Sequence, residues 1–196
     1  SHKALLDTGS QRTFVHSSLV ENLYLKPQTT TRVKVEGFCG SRDIATYDVV
    51  NLTVKLGRQY LRVQALVTEK MPTRVNVHGL AEATDYLNAK LKLNNAEQRE
   101  DVVENIEILV GMDHYFKFVR GQTRHEGVNL LKTAGGLIIA GSIPQKFRTN
   151  VDEVSQNITL VVRVHISPIT SEEIESLHQA KTMWDLKNIG ITPETN

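Results

Sequence analysis

The chain has 196 residues, 40% of them hydrophobic and 23% charged, with a mean hydropathy of −0.26, which supplies apolar material for a core and argues against wholesale disorder. Twenty-three Lys and Arg against 22 Asp and Glu leave a formal charge of +1, so composition alone argues for no nucleic-acid partner and no anionic membrane surface. No apolar run approaches the roughly 18–20 residues of a bilayer span.

Ala4-Leu5-Leu6 reads as the end of a buried strand that stops at Asp7, and Gly9 marks a turn. In "SSLVENLYL" (17–25), Leu19, Val20, Leu23 and Leu25 predict a short helix, closed by Pro27. From 28 to 68 the pattern is β. "TTRVKVEG" (30–37) alternates, with Val33 and Val35 on one face and Lys34 and Glu36 on the other. Gly37-Phe38-Cys39-Gly40-Ser41 interrupts it and predicts a hairpin tip. "YDVVNLTVKLG" (47–57) and "YLRVQALVT" (60–68) follow, joined through Gly57-Arg58-Gln59.

Residues 80–101 change register and predict a helix followed by a polar loop. "IEILVG" (106–111) predicts a short buried strand that ends in Gly and leads into a short helix, "MDHYFKFV". A β pair is expected in "VNLLKTAGGLIIAGSIP" (128–144), turning at Ala134-Gly135-Gly136, and one more strand in "NITLVVRVHIS" (157–167). After Pro168, Thr170 and Glu173 fit a capping box, with Ile174, Leu177 and Trp184 on one stripe of a helix. The boundary is expected near 150–170, with "IGITPETN" as a linker.

Asp7-Thr8-Gly9-Ser10, entered from an apolar strand, has the form of half of a two-carboxylate site. Two carboxylates a few Å apart cannot both ionise. They share one proton, so one serves as base and the other as acid, and they titrate as a unit. Such a pair needs each Asp on a tight turn at a strand end, where a glycine lets backbone approach backbone. The other aspartates are Asp43, Asp48, Asp85, Asp101, Asp113, Asp152 and Asp185, and only Asp7 precedes Thr-Gly or Ser-Gly. A single-chain, two-lobed arrangement is therefore excluded, and if this chemistry operates the second Asp7 comes from another copy across a twofold axis. Asp-Thr-Gly also makes an ordinary turn, so the triplet alone leaves a purely structural role open.

Four ordered stretches and a hairpin between the first two sharpen the reading. The opening "ALLDTGSQRTFV", a glycine-bearing hairpin about thirty residues on, and "ILVGMDHYF" together resemble the retropepsins, homodimeric aspartic proteases of retroviruses and retrotransposons. With "GGLIIAGSIP" and "MWDLKNIGI" (183–191), the pattern is similar to the peptidase of BEL/Pao-type retrotransposon polyproteins, over about residues 4–191. The resemblance implies a mainly β fold, a retropepsin-like closed barrel with a flap hairpin and a few helices. That domain is expected over 1–150, with a strand, helix and linker over 151–196 leading towards a reverse-transcriptase region.

Carried over by position, Asp7 is the catalytic carboxylate and Thr8 and Gly9 hold its turn, with Thr8 reaching the partner subunit. Gly37, Phe38, Cys39, Gly40 and Ser41 are the flap tip that closes over an extended peptide bound as an added strand. Ser10, Gly111 and Asp113 are structural, with Asp113 bracing the active-site end of the dimer. The implied protein is a homodimer that cleaves polyprotein junctions, with no cofactor and no metal. An inactive dimerisation or peptide-binding module of the same fold, or a ubiquitin-pathway shuttle protease, would share much of this pattern.

Other signals are weaker. The seven histidines (2, 16, 78, 114, 125, 165, 178) show no metal-binding spacing. Cys39 is the only cysteine, which excludes an internal disulfide and fits a reducing compartment such as the cytoplasm; the resemblance adds virus-like particles within it as a setting. The N-terminus has no long apolar stretch of signal-peptide type. Asn51-Leu52-Thr53 and Asn157-Ile158-Thr159 match glycosylation triplets but lie in strand-like, β-branched stretches. Ser10 lacks a nucleophile elbow, and "GGLIIAGS" lacks the Lys and helix of a phosphate loop.

Overall fold

Ala4, Leu5 and Leu6 are all buried because their strand has neighbours on both edges and packing on both faces. The alternation of the pleat sends Ala4 and Leu6 into the main core and Leu5 into a second cluster with Val103, Ile106 and Leu109. A strand buried this way reads as a continuous apolar run rather than an alternating one. A computed structural model of the chain describes residues 2–36, 42–72, 74–76, 80–91, 102–141, 144 and 160–166. The expected flap tip at Gly37, Phe38, Cys39, Gly40 and Ser41 lies outside the described residues, as do the helix expected after Pro168 and the tail.

The first strand, β1 (His2–Leu6), is followed by β2 (Phe14–His16) and the short helix α1 (Ser17–Asn22), whose Leu19 and Val20 are buried. The His16 ring caps this helix by accepting from Ser18 N (3.2 Å). Three antiparallel strands come next, β3 (Thr29–Glu36), β4 (Arg42–Leu56) and β5 (Gln59–Thr68). The first half of β4 pairs with β3, from Glu36↔Arg42 to Thr29↔Val49, and the second half pairs with β5, from Val49↔Leu66 to Leu56↔Gln59. The pair β6 (Arg74–Asn76) and β7 (Val102–Glu104) forms a small sheet by itself.

Next come β8 (Ile106–Val110), α3 (Met112–Phe118) and β9 (Val119–His125), which runs on from the helix without a break. β10 (Val128–Thr133) and β11 (Gly136–Ala140) turn at Ala134-Gly135 and complete a three-stranded sheet with β9. Between β6 and β7, α2 (Leu80–Leu91) lays Ala83 and Leu87 on Val128, Leu130 and Ile139. The last described strand, β12 (Leu160–Ile166), lies in the main sheet, although the sequence places it in the segment after residue 150.

The main sheet has the order β12-β1-β8-β2-β5-β4-β3. β12 pairs with β1 along its length, from His2↔Val164 to Leu6↔Leu160, and with β4 at His165↔Lys55 and Ile166↔Val54. The hydrogen bonding thus returns on itself through six strands, with β3 as the outer strand among the described residues. Val15, Val50, Leu52, Ile108, Val110 and Leu131 fill the space enclosed. At roughly 1.5–3 kcal/mol for each fully buried aliphatic side chain, this core fixes which ends of β1, β2 and β8 meet.

Candidate active site

β1 and β8 run parallel, so their C-terminal ends arrive side by side. Asp7 N donates to Val110 O (2.9 Å) and carries the ladder one residue beyond β1. The chain then turns sharply, with Ser10 N donating to Asp7 O (3.3 Å) and Gly9 N to the Asp7 carboxylate at Oδ1 (2.8 Å). A Cβ on residue 9 would lie 3.1 Å from that same Oδ1, so glycine both donates to the carboxylate and leaves room for it. Asp7 is half-buried, Thr8 and Gly9 are exposed, and the Thr8 hydroxyl makes no hydrogen bond among the described residues.

Behind the turn lies a second layer. Ser10 Oγ donates to Arg12 O (2.7 Å), and Ser10 O accepts from Met112 N (2.8 Å) at the start of α3. Gly111 is buried under Arg12, and a Cβ there would stand 2.5 Å from Arg12 C and 2.8 Å from Arg12 N, with Arg12 O nearer still. Asp113, in the first turn of α3, accepts from Thr13 N at Oδ2 (3.1 Å) and from Thr13 Oγ1 at Oδ1 (2.6 Å). Arg12 Nε lies 3.6 Å from the same carboxylate.

Sequence reasoning singled out Asp7, Thr8, Gly9, Ser10, Gly111 and Asp113, and the fold brings all six to one end of the sheet. It missed Thr13. This residue is fully buried, and it uses every polar atom: beyond its two bonds to Asp113, its hydroxyl accepts from Gly111 N (3.1 Å) and its carbonyl from Leu66 N (2.9 Å). A hydroxyl residue just before the apolar Phe14-Val15 was the signal available, but its partner lies 100 residues away in sequence. Thr13→Val keeps the shape and strands the Gly111 N–H and Asp113 Oδ1. The expected cost is about 1–3 kcal/mol, read as a lower urea midpoint with an unchanged slope; an unchanged midpoint would show that the hydroxyl contributes nothing.

Two side chains of α3 cap the part of β5 that no strand covers among the described residues. His114 Nε2 lies 3.0 Å from Gln64 N and 3.2 Å from Gln64 O, and Lys117 Nζ donates to Arg62 O (3.0 Å). Burial lowers the His114 pKa from its ordinary value, outweighing the pull of Asp113, and Lys117 adds to the lowering. The unfolded imidazole titrates near 6.5, so below that pH the unfolded chain binds more protons than the folded one. The contribution of His114 is full above about pH 6.5 and is lost as the pH falls towards the lower folded value. The urea midpoint is expected to drop less in His114→Gln than in the parent between about pH 7.5 and 5. Parallel curves would remove His114 from the acid response.

A mainly β ring whose buried strand ends in an Asp-Thr-Gly turn, braced from beneath by Gly111-x-Asp113, defines a protein of the acid-protease class. Residues 1–113 match the family model described as aspartyl protease, more than half of the chain. The chain belongs to this aspartyl protease family, whose members are hydrolases of peptidase type. No match was found among the curated proteins or the solved structures.

Proposed function

We propose that this chain is an aspartic endopeptidase of a retrotransposon polyprotein of BEL/Pao type, active as a homodimer in the cytoplasm or in particles formed there. The observation that carries the reading is the Asp7 turn. One oxygen of its half-buried carboxylate is held by Gly9 N–H, and the chain has no second Asp followed by Thr-Gly or Ser-Gly. Family membership supports the chemistry, and the single motif supports a site shared between two chains.

In this mechanism the two Asp7 carboxylates of a dimer share one proton. The ionised one takes a proton from water, which attacks the peptide carbonyl, while the protonated one donates to the carbonyl oxygen. The roles then reverse to protonate the leaving amine. Thr8, exposed and with no hydrogen bond from its hydroxyl among the described residues, would bond to the partner's turn. Ser10, Thr13, Gly111 and Asp113 act as positioning residues by fixing the turn to α3. Residues 37–41, between β3 and β4, would serve as the flap over an extended peptide.

Mixing tests the shared site. Adding excess Asp7→Asn protein to the parent is expected to pull cleavage down as mixed dimers form. Activity that is indifferent to the added variant would overturn the shared dyad.

A further inference from the structure

We propose that the face built by the β4–β5 hairpin, α3 and β9 binds single-stranded nucleic acid. From Val49 to Thr68 and from His114 to His125 the chain has no Asp or Glu, but it has Lys55, Arg58, Arg62, Lys117, Arg120 and Arg124. The near-zero net charge of the whole molecule therefore conceals a strong local segregation.

The fold brings these two stretches together. Lys117 Nζ reaches the Arg62 carbonyl (3.0 Å), and the Arg120 guanidinium donates to the Gln59 side chain. The hairpin tip at Gly57 abuts Ala134, which follows β10, the partner of β9. Arg58, Arg62, Lys117 and Arg120 are all exposed, and none has an acidic partner among the described residues.

The same elements expose two large rings, one on β5 and one on α3. Phe116 is 72% exposed and Tyr60 52% exposed, with Lys55 Nζ 5.7 Å from the Tyr60 ring centre. Exposed cations alone would suit any polyanion. Exposed rings interleaved with cations suit a single strand, because every base offers a face to stack while the backbone phosphates meet the guanidinium groups. A duplex hides those faces, and an acidic polypeptide has little to stack on the rings.

The test is fluorescence anisotropy of the full chain with a labelled single-stranded RNA or DNA of about twenty nucleotides, across salt. Four engaged cations predict a slope of about −3 in log affinity against log salt, a loss of roughly fiftyfold between about 50 and 200 mM. Arg58→Gln with Arg62→Gln, whose side chains have no described partners, is expected to weaken binding at least about tenfold with an unchanged melting temperature. Tyr60→Ala with Phe116→Ala is expected to weaken single-strand binding about fivefold or more. Asp7→Asn is expected to bind as the parent does, so a failure of the peptidase reading leaves this result intact. No binding at low salt, or equal binding by the Arg variant, overturns the proposal. Equal displacement by polyglutamate also overturns it and assigns the face to an acidic polypeptide.

Discussion

Asp7→Asn is expected to abolish peptide cleavage, a loss of about 10³-fold or more, in a protein that folds and melts like its parent. The fold is spared because the Asn side-chain oxygen can still accept from Gly9 N–H, and because Asp7 reaches β8 through its backbone, by Asp7 N to Val110 O. The chemistry is not spared. An amide neither takes a proton from water nor returns one to the leaving amine, and in a homodimer one substitution removes both members of the pair. Activity lost together with folding would leave the catalytic role unsupported, so circular dichroism and a thermal melt belong beside the cleavage assay. Full activity in the folded variant would refute the role outright.

Gly111→Ala is expected to be among the most damaging single-methyl additions in the molecule. The new Cβ would meet backbone rather than a side chain, 2.5 Å from Arg12 C and 2.8 Å from Arg12 N. No rotamer relieves that contact, so the segment from Ser10 to Thr13 must move. With it go the bonds from Gly111 N to Thr13 Oγ1, from Met112 N to Ser10 O and from Thr13 to Asp113. A destabilisation of about 3 kcal/mol or more is expected in urea, at the upper end of overpacking costs. Whatever cleavage activity the parent shows should fall about 100-fold through misplacement of the Asp7 turn. Gly121→Ala is the control. A Cβ there meets only Lys132 Cδ, at 3.9 Å, and the change is expected to be close to neutral. Equal effects at the two positions would show that Gly111 is not where the turn and α3 lock together.

The elements visible in the sequence are those whose signal is local. Ala4-Leu5-Leu6 ending at Asp7, the alternation through β3, the Gly57-Arg58 turn, and the Ala134-Gly135 turn all carry their own patterns. β9 carries none. It is an edge strand with Arg120, Gln122, Thr123 and Arg124 exposed, so no apolar alternation marks it. β2, β6 and β7 have three residues each, too short for periodicity to show.

The site divides in the same way. Asp7, Thr8 and Gly9 are a contiguous motif, and Gly111 and Asp113 became visible through resemblance to a family pattern. Thr13 and His114 matter only because of what the fold sets beside them. Thr13 lies under α3, and His114 lies against the stretch of β5 that β2 leaves uncovered when its pairing begins at Leu66. Neither relation can be read from a window of sequence.

The most direct test of the central claim is molecular mass in solution measured beside peptide cleavage from about pH 4 to 7, for the parent and for Asp7→Asn. A shared dyad predicts that both proteins are dimers and that only the parent cleaves. Cleavage by the Asp7→Asn dimer, or by a parent that stays monomeric at assay concentration, would contradict it.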